Sequence, residues 1–193
     1  MTKDTAERAL ELLESSGALL TGHFKLSSGR HSDEYCQCAR VLSHPEAAEE
    51  LGRMLAELFL DLPVDVVVSP ALGGIVIGHE VARALGVRAL FAERESGKMT
   101  LRRGFSVGRG EKALIIEDVR TTGGSVLEVA EVVRAAGGDV AGFGFILDRS
   151  QGERDLGSPA RALARRRMVS HEPDACPQCA QGVPVEKPGS RQG

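Results

Sequence analysis

The chain has 193 residues, enough for one domain with a full core or one domain with a small appendage. A hydrophobic content of 42% beside 26% charged residues marks a folded globular protein rather than a disordered one. The net charge of −3 excludes a generally basic surface for nucleic acid. No apolar run approaches the roughly 20 residues that span a bilayer, and the start, "MTKDTAERALELLESSG", has no long apolar centre of a secretory signal or anchor. These features predict a cytoplasmic protein with no membrane or nucleic-acid partner.

Residues 4–16 read as an amphipathic first helix, with Asp4 and Glu7 as an acidic form of the capping box and Gly17 as the stop. The segment "LLTGHFKLSSGRHSDEYCQCARVL" follows, with short alternating runs broken by turn residues, and predicts irregular strands. In "SHPEAAEELGRMLAELFL", Ser43 is the expected cap, Pro45 occupies the first turn and Glu46 closes the box. Leu51, Leu55 and Leu58 mark one face of that helix.

From Val64 the pattern changes. "VDVVVS" is a β-branched, nearly unbroken apolar run, the mark of a strand buried on both faces. "PALGG" turns the chain, "IVIGHEVARALG" reads as a helix ending at Gly86, and "VRALFAE" is a second strand. Strand, helix and strand at this spacing imply a parallel pair joined by a right-handed crossover. The unit recurs, with "KALIIE" as a strand, residues 125–136 as a helix stopped by Gly137 and Gly138, and "DVAGFGFIL" as a strand. "RRRMVS" is the candidate last strand at an edge.

The expected class is therefore α/β, an open, mostly parallel twisted sheet flanked by helices on both faces. Residues 1–45 do not share the period and predict a small amino-terminal hood over one end. The Pro/Gly-rich residues 173–193 predict an extended tail, all within one domain spanning 1–193.

Four cysteines fall as Cys36-x-Cys38 and Cys176-x-x-Cys179. "CPQC" suits half of a zinc site or a redox pair, and a complete site would need all four thiols to converge. Reduced, structural cysteines are the preferred reading for a cytoplasmic setting. His23, His31, His44, His79 and His171 show no metal spacing and no evident base partner, and are read as surface or packing residues.

The stretch "ALIIEDVRTTGGSVLEV" carries the chemistry. Glu117 and Asp118 stand where the strand is expected to run out, and ligands of open α/β sheets bind beyond the carboxyl ends of the strands. Gly123 and Gly124 let successive amides converge, and the following helix terminus adds partial positive charge. With the hydroxyls of Thr121, Thr122 and Ser125 this forms a cradle for a phosphate monoester. The two acids suit vicinal hydroxyls one sugar-length away, or a hydrated Mg²⁺. An acidic grip beside a phosphate turn describes a ribose 5-phosphate. A capped helix after a solvated acidic strand end, with Ser125 and Glu128 as the box, is the bland alternative.

At this point a resemblance becomes specific. "IIEDVRTTGGS" resembles the phosphoribosyl diphosphate signature of the type I phosphoribosyltransferases. "GHFKLSSGRHSDEYCQCARVL", "SPALGGIVIGHEVARALG", "FAERESGKMTLRRGF" and "ILDRS" are similar in content, order and spacing to the orotate branch of that family. The similarity extends over nearly the whole chain, including "CPQCAQGVPVEKPGS".

The resemblance implies transfer of a 5-phosphoribosyl group from phosphoribosyl diphosphate to orotate, with Mg²⁺, in a homodimer. It implies that Glu117, Asp118, Val119, Arg120, Thr121, Thr122, Gly123, Gly124 and Ser125 hold the sugar phosphate. "SPALGG" would bind diphosphate through the backbone near Ala71 and Gly73, and Gly73 stands where a lysine is common in this branch. Residues 94–110 would form a mobile cationic loop that completes the neighbouring subunit's site, with Arg94 and Lys98 as the catalytic cations. The family's loop often carries a histidine near that lysine, and this one has none.

Arg149 and Thr121 would contact orotate, and the planar guanidinium of Arg149 suits a carboxylate; an ion pair with Asp148 or with a neighbouring helix is the alternative. Lys25, Ser27, Ser28, Gly29 and Arg30 would lie over the pyrimidine. A purine- or uracil-accepting relative, and a non-catalytic sensor of phosphoribosyl diphosphate, are the competing readings.

Overall fold

The computed structural model describes residues 3–26, 28–150 and 154–188. In chain order its elements are α1 (Lys3–Ser15), β1 (Leu19–Lys25), β2 (His31–Cys36), α2 (Ala39–Leu42), α3 (Pro45–Glu57), β3 (Val66–Pro70), α4 (Gly74–Leu85) and β4 (Arg88–Glu95). There follow β5 (Lys98–Leu101), β6 (Lys112–Arg120), α5 (Gly124–Ala135), β7 (Asp139–Asp148), β8 (Ala160–Arg165), β9 (Ser170–His171) and α6 (Pro177–Ala180).

Six strands form one sheet in the order β5-β4-β3-β6-β7-β8, parallel throughout except for the β4–β5 hairpin. The central strands are apolar on both faces because helices cover both. Val67, Leu114 and Ile116 pack towards α3 and α4, while Val66, Val68, Ala113 and Ile115 pack towards α5. Each of these side chains is fully buried, and burial of a Val, Leu or Ile contributes about 1.5–3 kcal/mol. This alternation is why the strands read as continuous apolar runs.

The connections through α4 and α5 run in opposite directions from the adjacent strands β3 and β6. The carboxyl ends of these two strands therefore open a crevice at the point where the strand order reverses.

Several local expectations change. Helix α1 already includes Asp4, so Asp4 and Glu7 do not cap it. Its Ala9 and Leu13 are buried in the main core, so it belongs to the sheet's body and not to the hood. Ser43 does not cap α3; its hydroxyl donates back to Arg40 O at 2.7 Å, and His44 precedes Pro45 without a side-chain cap. The edge strand is β8, and of "RRRMVS" only Arg165, its last residue, lies in it, while Ser170 enters a strand of a different sheet. The alanine-rich β8 buries Ala162, Leu163 and Ala164 with little apolar bulk to announce it.

That second sheet, β1-β2-β9, is antiparallel and stands apart from the main one. The tail folds back onto it: Lys25 N donates to Glu186 O and Glu186 N to His23 O, both at 2.7 Å. Residues 173–188 are thus docked, with a 3-10 turn and α6, and are not an extended appendage. No helix of the described residues is long and apolar enough to cross a membrane.

Candidate active site

Two strand-to-helix turns meet at the crevice. After β6, Thr121 and Thr122 are exposed, and Gly123 adopts φ 76° at the start of α5. A side chain at Gly123 would be strained by that φ and would sit 3.1 Å from Leu156 Cδ2. The first amides of α5 have no intrahelical acceptor, as at any helix start. No side chain caps α5. Ser125 lies inside the helix and its hydroxyl donates to Glu117, and Glu128 pairs elsewhere, so the Ser125–Glu128 box does not form.

After β3 the peptide between Ala71 and Leu72 is cis. Gly73 follows, and a Cβ there would stand 2.8 Å from Asp118 Oδ1. The Asp118 carboxylate can lie this close to the turn after β3 because Gly73 has no side chain.

The strand β6 runs through Arg120, three residues beyond Glu117, so both acids belong to its pleat and not to the loop after it. Successive side chains leave opposite faces of a strand. Glu117 reaches Ser125 on α5, and Asp118 reaches the Gly73 turn. Both are largely withdrawn from water. Burial, aided by the neighbouring Asp118, pushes the Glu117 carboxyl up to about 8, and burial also raises Asp118. Two adjacent carboxylates that ionise reluctantly suit a partner that brings positive charge or hydroxyl donors.

A cleft of about 1150 Å³ joins these groups. Its floor includes Glu117, Asp118, Val119, Thr121, Thr122 and Arg149. Its roof comes from the hood, with Lys25, Leu26, Ser28 and Arg30, and its rim from Lys187 and Pro188 of the tail. Gly29 makes the hood turn at φ 86°, and Ser27 lies outside the described residues. Tyr35, Cys36, Cys38 and Met168 also line the cleft, and residue type alone does not single them out.

Arg149 follows β7. Its amide donates to Arg120 O at 2.9 Å. Among the described residues it forms no ion pair, and its Nε is buried without a hydrogen-bond partner. Burial lowers its proton affinity, and the nearby Cys36, Tyr35 and Glu34 offset only part of that. Asp148, the alternative partner, instead faces Arg120 at 3.6 Å. Arg120 is itself buried beneath the turn, donates to Arg154 O at 2.6 Å and lies over the Phe145 ring. Its side chain does not line the cleft.

Arg94 and Lys98 do not line it either. The expected cationic loop begins as the β4–β5 hairpin, with Arg94 opposite Met99 and Glu95 opposite Lys98. Arg94 pairs with Glu128 at 2.7 Å, while Arg102 and Arg103 pair with Glu93 and Glu95. Among the described residues Lys98 forms no ion pair and is exposed.

The metal reading of the histidines and cysteines also needs correction. Cys36 and Cys38 lie 3.5 Å apart beside the cleft. Cys176 and Cys179 converge on His23 and His31, not on the other two thiols. Sequence spacing hides this cluster because about 150 residues separate its halves.

Comparison with known proteins gives this geometry a class. A family model described as the phosphoribosyl transferase domain matches residues 37–164. Over 188 residues the chain is 55% identical to the orotate phosphoribosyltransferase of Pelotomaculum thermopropionicum, covering 97% of this chain and 99% of that one. It is 50% identical over 186 residues to that of Caldanaerobacter subterraneus subsp. tengcongensis, covering 96% and 98%. The crystal structure of Mycobacterium tuberculosis H37Rv orotate phosphoribosyltransferase with inorganic phosphate superposes with a TM-score of 0.68 at 28% identity, covering 85% of this chain and 96% of that one. The chain belongs to the orotate phosphoribosyltransferases.

Proposed function

We propose that this protein transfers the 5-phosphoribosyl group from phosphoribosyl diphosphate to orotate. The products are orotidine 5′-phosphate and diphosphate, a step of pyrimidine nucleotide synthesis in the cytoplasm. The observation that carries the reading is Arg149: a half-buried guanidinium whose Nε is buried and unmatched, in the same cleft as Glu117, Asp118, Thr121 and Thr122. A partly desolvated cation without an ion-pair partner calls for an anion, and the planar fork suits the orotate carboxylate.

The remaining roles follow from position. Thr121, Thr122, Gly123, Gly124 and Ser125 receive the 5-phosphate at the start of α5, with Val119 and Arg120 supplying backbone and support. Glu117 and Asp118 accept hydrogen bonds from the ribose diol, and Ala71 and Gly73 present amides to the diphosphate. The adjacent acids and the small-residue turn opposite them fit a substrate that arrives with Mg²⁺. When bound, that ion neutralises charge on the departing diphosphate.

Cleavage of the C1–O bond builds positive charge on ribose and negative charge on diphosphate. As the bond from orotate N1 to C1 forms, the N1–H proton passes to the departing diphosphate or to solvent, and no side chain is assigned as the base. Catalysis rests on positioning and on fixed charge. Arg94 and Lys98 serve from a hairpin outside their own cleft, which suits a homodimer in which residues 94–110 complete the neighbouring site. The unpaired state of Lys98 leaves its ammonium available for the leaving group.

The direct test mixes the protein with Mg²⁺, phosphoribosyl diphosphate and orotate, and follows the loss of orotate's ultraviolet absorbance. Turnover with uracil or a purine in place of orotate would overturn the acceptor assignment.

A further inference from the structure

We propose that His23, His31, Cys176 and Cys179 form a tetrahedral Zn²⁺ site that fastens the tail to the hood. The cluster lies outside the chemistry of the proposed reaction and does not depend on it.

The donor geometry is close to what a metal needs. His23 Nε2 lies 3.4 Å from Cys176 Sγ and 3.7 Å from Cys179 Sγ. His31 Nδ1 lies 3.0 Å from His23 Nε2 and 3.2 Å from Cys179 Sγ. All four donor atoms fall within 4.8 Å of one another. Zinc bonds of about 2.0–2.1 Å to nitrogen and about 2.3 Å to sulfur give tetrahedral edges of roughly 3.3–3.8 Å. Two imidazoles and two thiolates in such an arrangement select zinc over the harder divalent ions.

Each half of the site is prepared separately. His23 and His31 sit on paired strands β1 and β2, where an irregularity between Thr21 and Phe24 alters the register beside His23. Both rings are buried. Cys176 precedes α6 and Cys179 lies in it, and a spacing of three places both thiols on one side of a helical turn. His23 Nδ1 lies 2.8 Å from Val183 O. A carbonyl only accepts, so the ring proton is held at Nδ1 and the Nε2 lone pair faces inward, the tautomer a metal-bound histidine requires. On binding, two Cys–SH groups release their protons to solvent and form two S–Zn bonds.

The site also has a structural consequence. The hood turn between His23 and His31 carries Lys25, Leu26, Ser28 and Arg30 to the cleft, and the chain after Cys179 carries Lys187 and Pro188 to it. A metal at the cluster would join both walls at one point.

The test is elemental analysis of the full chain, purified without a histidine tag and without metal-affinity resin. One equivalent of zinc per chain is expected, with its loss in Cys176→Ser, Cys179→Ser and His31→Ala and its retention in Cys38→Ser. Cobalt substitution should give the intense visible bands of a tetrahedral ion and a thiolate-to-cobalt charge-transfer band. Because a variant can fail to fold, wild-type protein is also stripped with a chelator and probed with a glutamate-specific endoprotease, since trypsin does not cut the Lys187–Pro188 bond. Faster cleavage after Glu186, reversed by added zinc, is the expected result. Wild-type protein that neither contains zinc nor takes up cobalt, that holds a Cys176–Cys179 disulfide instead, or whose tail is equally resistant with and without metal, would overturn the proposal.

Discussion

The cleft floor and the hood-tail cluster are built in opposite ways. On the floor, Glu117, Asp118, Thr121 and Thr122 come from one strand-turn-helix unit, so neighbours in sequence are neighbours in space. In the cluster, His23 and His31 meet Cys176 and Cys179 from far along the chain. The first arrangement depends on backbone geometry that a short stretch dictates. The second exists only after the tail has docked. A site's legibility in sequence follows the length of chain needed to build it.

The largest effect expected on the local side concerns Glu117. Its carboxyl ionises at about 8 in the fold against 4.5 for the ordinary group. The folded state therefore holds a proton that the unfolded chain releases. The associated stability is complete below pH 4.5, falls as pH rises, and is lost above about 8. The ligand-free protein should lose on the order of 4 kcal/mol across that window, and Glu117→Gln should flatten the profile. Denaturant titrations at several pH values check this; an unchanged slope in the variant would remove Glu117 as its source.

Next is Lys98→Ala, which should lower turnover by about 10²–10³ while leaving affinity for phosphoribosyl diphosphate nearly intact. Steady-state kinetics beside calorimetric binding separates the two, and an unaltered kcat would take the hairpin out of the chemistry. Mixing Lys98→Ala with a cleft-floor variant would restore part of the activity if the hairpin serves its neighbour.

Arg149→Ala should weaken orotate binding by about 2–3 kcal/mol, the usual loss for a buried charge-assisted contact. Binding of phosphoribosyl diphosphate should change little. A loss on the diphosphate side instead would contradict the carboxylate assignment.

The smallest effect belongs to Arg8, which pairs with Glu50 across α1 and α3 at 2.8 and 3.0 Å. Both side chains are partly exposed, so Arg8→Ala should cost no more than about 1 kcal/mol. A larger loss in chemical denaturation would mean that this pair, and not Ala9 and Leu13, seats α1 on the main body.

The sheet was readable because β3, β6 and β7 announce double burial with unbroken apolar runs, and because Gly86 and the Gly137–Gly138 pair stop the intervening helices. The grouping of Glu117, Asp118, Thr121, Thr122 and Arg149 at one edge followed from the rule for open α/β sheets. The edge strand β8 escaped notice because its alanines bury little surface. Ser43 misled because a hydroxyl before a proline can serve the preceding turn as readily as the following helix. The hairpin at Arg94–Met99 was hidden by charge, since cross-strand ion pairs and loop cations look alike in a linear sequence. The tail's pairing beside β1 uses main-chain groups of Glu186, His23 and Lys25, which leave no trace in residue type.

The hydrogen bond from the Arg149 amide to the Arg120 carbonyl makes the cleft a ruler. One end of the gauge is the turn beginning at Thr121, and the other is the backbone that carries Arg149; neither can slide without breaking the ladder between β6 and β7. A molecule that touched both would meet two anchor points whose backbone spacing the sheet sets in advance.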